Sequence, residues 1–447
     1  MREAVAAIFI CGREVFTIRR QDRLRAYPGY CAFPGGKVDA EDAAARFAHP
    51  LLAELPPHQT GALVRELREE LDFDLVRALE EGQVKDFGYF GEAITPSFAS
   101  HRFNAHFYRV ELTGKPAFRP DAREIAWCGW LDHRDLYRSY LDGEALMVVP
   151  IMNAVRTLAE DIQSRGAGPF NLQYDEEREL PFLQPLHGVG IIPVPSHTLP
   201  PAKATNALLL GDERRILVDP SPASDQVYTR LRQTLRGREP HAILISHHHP
   251  DHHERSPKLA RELGIPLYCS AQTHAYLFES YGSAALEGVD FRMAEEGDIL
   301  THWRGHPVRC LSLPGHDDGM LGLTPDNLAW LFVADLVQAG ASIVIPEHGG
   351  DMADYFRSLQ RVIDLKPKVL IPSHGFPSGG LHLVETALRH RREREKQVRR
   401  CLAEGLDVDG IVVKLYADID PRLKRLARQN IAQHVCKLVE EGEAGAE

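Results

Sequence analysis

At 447 residues, 44% hydrophobic and 26% charged, the chain is long enough for two or three domains and too apolar for a disordered or fibrous protein. Its net charge of −11 argues against a coat for nucleic acid, whose phosphates are held electrostatically. Seven scattered cysteines without a C-x-x-C pair fit a reducing compartment and read as buried small hydrophobes, so a cytoplasmic protein is expected.

Residues 4–11 and 15–19 are the first two expected strands, joined in a hairpin at Gly12-Arg13-Glu14. The first lacks a positive n-region and a small-residue cleavage site, so it reads as a strand and not a signal peptide. No segment reaches the roughly 20 apolar residues of a membrane helix, and no membrane partner is expected. A basic stretch bearing Arg19, Arg20, Arg23 and Arg25 leads to Phe33-Pro34-Gly35-Gly36-Lys37-Val38-Asp39. A helix is expected over 61–71, where Leu63, Leu67 and Leu71 recur as one buried stripe. Glu66, Glu69 and Glu70, at i, i+3 and i+4, put three carboxylates together on another face. Such a group repels itself unless it shares a cation, and Mg2+ or Mn2+, hard ions that carry diphosphate groups, are the natural partners. A solvated acidic face is the plainer reading of the string alone. Strands over 102–108 and 127–131 and a helix over 150–163 complete this part.

Gly36 followed by Arg65-Glu66-Leu67-Arg68-Glu69-Glu70 resembles the Nudix box of hydrolases that cleave diphosphates linked to another moiety. The resemblance implies an α/β/α sandwich over 1–165, with Glu66, Glu69 and Glu70 as metal-binding catalytic groups and Arg65 bracing the loop. Asp42 stands where the box has a glutamate, Asp72 where it has a glycine, and 22 residues separate Asp42 from Arg65, an insertion relative to the family. Arg25-x3-Gly29-x3-Phe33-Pro34-Gly35-Gly36 resembles an extension carried by Nudix coenzyme A diphosphatases. It implies a CoA derivative or a nucleotide diphosphate as substrate, with Arg19 and Arg25 on its phosphates through charge-assisted hydrogen bonds. A basic solvent loop is the alternative.

Gly166-Ala167-Gly168-Pro169 and the charged run 175–179 mark a linker, 166–188. Apolar strands over 189–194, 207–210, 215–218 and 242–245 then alternate with helical stretches, as an α/β layered domain requires. The last of these strands runs into Ile245-Ser246-His247-His248-His249-Pro250-Asp251-His252-His253. In extended backbone His247 and His249 share a face and can share a metal. Pro250 turns the chain, leaving Asp251 and His252 for a second one. Imidazoles with one carboxylate suit zinc, manganese or iron better than magnesium or calcium. In a chain with 22 histidines, a histidine-rich surface loop is the alternative.

H-x-H-x-D-H in this register resembles the metallo-β-lactamase superfamily, as do Leu313-Pro314-Gly315-His316, Leu331-Phe332-Val333-Ala334-Asp335 and Ile371-Pro372-Ser373-His374-Gly375. Thr205-Asn206 before a strand resembles the opening of such domains. The resemblance implies an αββα sandwich over 189–385 with two Zn2+ ions, or Mn or Fe in their place. His247, His249 and His316 would hold one ion and Asp251, His252 and His374 the other, with Asp335 bridging and Asp251 also catalytic. Two ions about 3.5–4 Å apart share a hydroxide and polarise the substrate oxygen, which opens a thioester or ester without a serine or cysteine nucleophile. His248 and His253 fall outside the register and read as supporting or solvent groups, and His348 as structural.

Helices are expected over 381–404, strongly basic, then 407–415 and 423–440, the last with apolar Leu426, Ile431, Val435, Leu438 and Val439. Together they resemble the winged-helix cap, here 386–447, of lactamase-beta-like members of the superfamily, some of which are endoribonucleases. Arg422, Lys424, Arg425 and Arg428 would then meet the phosphates of RNA. Packing on the catalytic domain, or on a twin subunit in a homodimer, is the alternative. The expected whole is a multidomain α/β metal-dependent hydrolase. An RNA phosphodiesterase, and a regulator with a degenerate Nudix sensor, are the rival readings.

Overall fold

The computed structural model describes residues 1–98, 102–166 and 168–442. Ala167 of the expected linker and the last residues of the expected cap, 443–447, lie outside the described residues. The chain divides into two compact units: Met1–Tyr174 with Leu183–His187, and Asp175–Phe182 with Gly188 onward.

In the first unit the strand Arg2–Cys11 sits inside a mixed sheet, antiparallel to Glu14–Arg20 and parallel to Phe103–Leu112. Its side chains alternate across the sheet. Val5, Ala7 and Phe9 meet the Leu63, Leu67 and Leu71 stripe of helix Pro57–Leu71, while Ile8 and Ile10 meet Leu136, Ile151 and Val155 of helices His133–Leu141 and Val149–Glu160. That two-sided burial makes the three-layer α/β/α arrangement. The helix begins at Pro57 rather than 61, because proline at the first helical position is preset for a helical start. Strand Val84–Ile94 is not foreseen in the sequence: Gly88 and Gly91 weaken its local signal, and antiparallel pairing with Phe103–Leu112 supplies the order.

The second unit contains two sheets. In one, Phe291–Met293, Leu267–Cys269, Ala242–Leu244, Ile216–Val218, Thr205–Leu210 and Val189–Val194 lie side by side in that order. Helices Asp225–Thr234 and Ser256–Leu263 cover it through Tyr228, Leu231, Leu259 and Ala260. The other sheet runs Ile299–Trp303, His306–Ser312, Leu321–Pro325, Leu331–Ala334, Val369–Pro372 and Ser378–Gly379. Short, fully buried strands such as Ala242–Leu244 and Leu331–Ala334 leave their polar successors at the strand ends, where loops emerge. The sheets are tied there by Asn206 N–H to Ser373 O (2.7 Å) and Leu321 N–H to Ser246 O (2.9 Å).

Helices His382–Ala403, Val408–Leu415 and Lys424–Glu440 close the chain around Val398, Cys401, Ile411, Ile431 and Leu438. Two expectations are corrected here. Val439 is 58% exposed, because the buried face of the last helix is carried instead by Ala427, Asn430, Ile431, Gln433, His434 and Leu438. Cys436, on the same outer face, is exposed and not a core residue, although Cys269, Cys310 and Cys401 are buried. Among the described residues no helix is long and apolar enough to cross a membrane.

Candidate functional site

In the first unit the glycine loop runs beside the first strand, with Val5 N–H donating to Gly36 O (2.9 Å) and Ala7 N–H to Pro34 O (2.8 Å). Helix Pro57–Leu71 is locked to that loop. Gly35 N–H donates to Glu70 Oε2 (2.8 Å), and Arg65 donates to Lys37 O (2.9 Å). Gly36 lies so close to the Glu66 carboxyl group that a Cβ there would overlap it. Asp42, buried, receives the Arg65 guanidinium through both oxygens at 2.9 Å and caps Asp39 N–H. The 22-residue insertion therefore leaves Arg65 coupled to the loop, since a bidentate fork fixes both position and orientation. Arg65, before the other contributions, holds the Asp42 carboxyl below the usual carboxylate range.

The three glutamates face different surroundings. Glu69 is 62% exposed and reaches back to Arg65 (3.3 Å), whereas the Glu66 and Glu70 side chains turn inward. Burial raises the Glu66 carboxyl, and pushes that of Glu70 up to about 8 against the opposing bond from Gly35. Glu124 adds to both rises, so a fourth carboxylate stands near this pair. Nothing in the sequence pattern marks Glu124, which precedes strand Ile125–Asp132 in a turn. Arg19 and Arg25 are both exposed, and Arg23 is spent on the carbonyls of Ala122 and Arg123.

In the second unit every residue singled out from the histidine motifs comes to one place. His247, His252 and Asp335 form one tight group, His247, His249 and His316 a second, and Asp251, His252 and His374 a third. Asp335 is central: its carboxylate lies 3.5 Å from His252 Nε2, 3.6 Å from His316 Nε2 and 3.3 Å from His374 Nε2. The backbone just before it is strained, with Ala334 at φ 45, which aims the carboxylate out of the strand end. Gly315 is forced: at φ 133 it packs so tightly on Tyr355 that a Cβ would overlap the Tyr355 backbone.

The imidazoles are held from behind through Nδ1. His316 Nδ1 donates to Val344 O (2.6 Å) and His374 Nδ1 to Ala204 O (3.0 Å). His252 Nδ1 donates to Asp219 Oδ2 (2.9 Å), and His247 Nδ1 to Ser246 Oγ (3.0 Å), whose own proton goes to Asp219 (2.6 Å). A carbonyl or carboxylate only accepts, so these bonds put a proton on Nδ1 and leave Nε2 as the nitrogen that faces the cluster. Among the described residues the buried Nε2 atoms of His247, His252 and His316 and Oδ1 of Asp335 have no hydrogen-bond partner. Buried polar atoms are rarely left so, and a divalent cation among nitrogen and carboxylate donors satisfies them together.

Electrostatics divides the cluster. Burial and neighbouring imidazoles hold His247 and His249 well below the ordinary histidine value, as neutral donors. At His252 burial acts the same way, yet Asp251, Asp335 and Asp219 outweigh it and hold that imidazole well above. At His374 burial is outweighed by Asp335. Burial would raise Asp335 itself, but His374 and His252 hold it well below.

Asp219 is a member of the cluster's hydrogen-bond network that the motifs miss. It is fully buried, adopts the left-handed φ of 48, and accepts from Ser246 N–H (2.7 Å) as well as Ser246 Oγ and His252. Its available signal was an aspartate directly after the apolar run 216–218. Asn206 and Thr205 clamp the surrounding loops through Pro372 O, Gly375 O and Asp251 O. His248 pairs with buried Asp317, and His253 bridges His248 O (2.8 Å) and Tyr281 (2.9 Å), so both support the motif. His348 is exposed and its ring lies 5.2 Å from that of Tyr276. In the cap, Arg422 pairs with Asp420, and Arg428 with Asp409 and Glu347.

A model of the NUDIX domain matches residues 1–148, one of the metallo-beta-lactamase superfamily 200–374, and one of the beta-lactamase associated winged helix domain 408–446. A beta-lactamase-like protein 2 homolog of Drosophila melanogaster is 26% identical over 258 residues, 54% of this chain and 84% of that protein. A hydroxyacylglutathione hydrolase of Xanthomonas oryzae is 29% identical over 206 residues, 43% of this chain and 71% of that protein. Among solved structures, a metallo-beta-lactamase family protein from Thermus thermophilus aligns over 57% of this chain and 95% of its own, at 23% identity and a TM-score of 0.47.

Proposed function

We propose that this chain, in which a Nudix domain is fused to a metallo-beta-lactamase domain and its associated winged-helix domain, is a two-site metal-dependent hydrolase. In the lactamase domain the reading assigns His247, His249 and His316 to one ion, Asp251, His252 and His374 to a second, and Asp335 between them. The observation that carries it is the Asp335 carboxylate set 3.3–3.6 Å from three inward Nε2 atoms. Zinc fits this donor set best, with manganese or iron also compatible. Two such ions, when bound, supply a Lewis acid for a scissile carbonyl and a water acidic enough to attack near neutral pH. The chain's own part is preorganisation: Asp219, Val344 and Ala204 hold imidazoles with the proton on Nδ1, and the reading gives Asp251 a catalytic role beside its place at the second ion.

The substrate class we assign is a thioester. A relative named for hydroxyacylglutathione, itself a thioester, supports this choice. The Nudix domain would take a CoA-type or nucleotide diphosphate, with Glu66, Glu69 and Glu70 holding Mg2+ or Mn2+ and the exposed Arg19 and Arg25 meeting phosphates. The intact Asp42–Arg65 fork supports a working domain over a degenerate sensor. With Arg422 and Arg428 engaged by carboxylates, RNA is not the substrate proposed. Free thiols at all seven cysteines agree with a cytoplasmic setting.

The test is product analysis by mass spectrometry after incubating the protein, its metal content measured, with a short acyl-CoA. Free CoA with the acid supports the thioester reading, and acyl-phosphopantetheine supports the Nudix reading. An unchanged substrate in the presence of fully metal-loaded protein would overturn acyl-CoA as the substrate of either site and leave a nucleotide diphosphate for the Nudix domain.

A further inference from the structure

We propose that the C-terminal cap is a positioning element of the histidine cluster, acting through the segment 343–350. This inference rests on the dinuclear reading above. The segment carries no regular secondary structure, so its backbone groups need partners from elsewhere. The cap supplies them. Arg391 donates to Ile343 O, Asn430 accepts from Ile345 N–H (2.9 Å) and donates to Ile343 O (3.4 Å), and Gln433 donates to Pro346 O (2.8 Å) and Gly350 O (3.1 Å).

Those bonds bracket Val344 on both sides. Its own carbonyl is directed the other way, onto His316 Nδ1 at 2.6 Å. Arg391, Asn430 and Gln433 are only 3%, 6% and 8% exposed, and they come from two different helices. A helical cap needing only an apolar interface would not bury an arginine and two amides, because each costs free energy unless its hydrogen bonds are made. Here they are made, and to one segment. Arg391 also lies over the Tyr355 ring (5.3 Å), and Tyr355 Oη donates to Leu336 O (2.8 Å), the residue after Asp335. The cap thus reaches two of the proposed ligands: His316 through the backbone of 343–345, and Asp335 through Tyr355 and Leu336.

The experiment titrates the purified full-length apo protein with Co2+, following the d–d absorption and the metal-to-protein ratio. Gln433→Leu removes two donors at nearly constant volume, and Asn430→Asp removes the donation to Ile343 O while keeping the acceptor. Val413→Ser, at an exposed cap position, is the control. With excess Mg2+ present to fill the carboxylate site of the Nudix domain, wild-type protein is expected to take two equivalents of cobalt at the histidine cluster. The two variants should bind one of these about ten-fold more weakly, with an altered d–d spectrum, while remaining folded by circular dichroism. Folded variants with wild-type affinity for both equivalents and an unchanged spectrum would overturn the positioning role and leave the dinuclear reading standing. Wild-type protein that takes up no cobalt would overturn both. Should one variant fail to fold, the other decides.

Discussion

Asp219→Asn is the substitution that asks most of the proposed metal centre, because it keeps the shape of a fully buried side chain and changes only its hydrogen-bond chemistry. The carboxylate accepts three bonds, from Ser246 N–H at 2.7 Å, Ser246 Oγ at 2.6 Å and His252 Nδ1 at 2.9 Å. An amide has one oxygen, so its NH2 must face at least one of these donors. Facing His252, it forces the imidazole to accept at Nδ1 and carry its proton at Nε2, the atom aimed at the cluster. Bonds to charged groups are worth about 1.5–3 kcal/mol each, so losing one or two should destabilise the lactamase domain by roughly 2–5 kcal/mol. For a domain of this size that is a fall in melting temperature of about 5–15 °C. Metal affinity should fall about 10–100-fold, as for other groups that orient a ligating imidazole. Differential scanning calorimetry of the chelated and zinc-loaded forms, with competition titration against a chromophoric chelator, measures both. Zinc affinity and melting temperature equal to wild type would refute the tautomer argument.

Removal of zinc by a zinc-selective chelator, with magnesium kept present, should lower the melting temperature of the lactamase domain but not that of the Nudix domain, and zinc should restore it. Because His252 and His374 are held above the ordinary histidine value by their carboxylate neighbours, a cation displaces protons there, and zinc affinity measured between pH 6 and 8 should rise with pH. Burial raises Glu70 from 4.5 to about 8, so its contribution to stability is fully present below pH 4.5 and is lost as pH rises through about 8. Glu70→Gln should therefore flatten the decline of metal-free Nudix stability over that window in urea titrations, and an unchanged pH profile would count against it. Gly36→Ala puts a methyl group into the Glu66 carboxyl, and diphosphatase activity should drop at least 100-fold with the rest of the sheet intact by circular dichroism.

Much of this molecule is written in local pattern. Alternation along 2–11 and the leucine stripe of 63, 67 and 71 state which faces are buried, and they do so independently of partners. The ligand set is equally legible, since His247, His249, Asp251 and His252 lie within six residues and His316, Asp335 and His374 each follow a short apolar run. What the chain order hides is anything whose meaning depends on a distant neighbour. Asp219 is one aspartate among many until Ser246 and His252 are brought onto it, and Glu124 has no motif at all. Along 424–440 the same limit misleads: apolarity places Val439 inside, yet Asn430 and Gln433 are buried in the fold because unpaired carbonyls of 343–350 await them. Hydrophobic period selects the face of a helix that leaves water, but only the tertiary structure decides which polar groups follow it in. That choice is set by hydrogen-bond partners that sequence spacing cannot reveal.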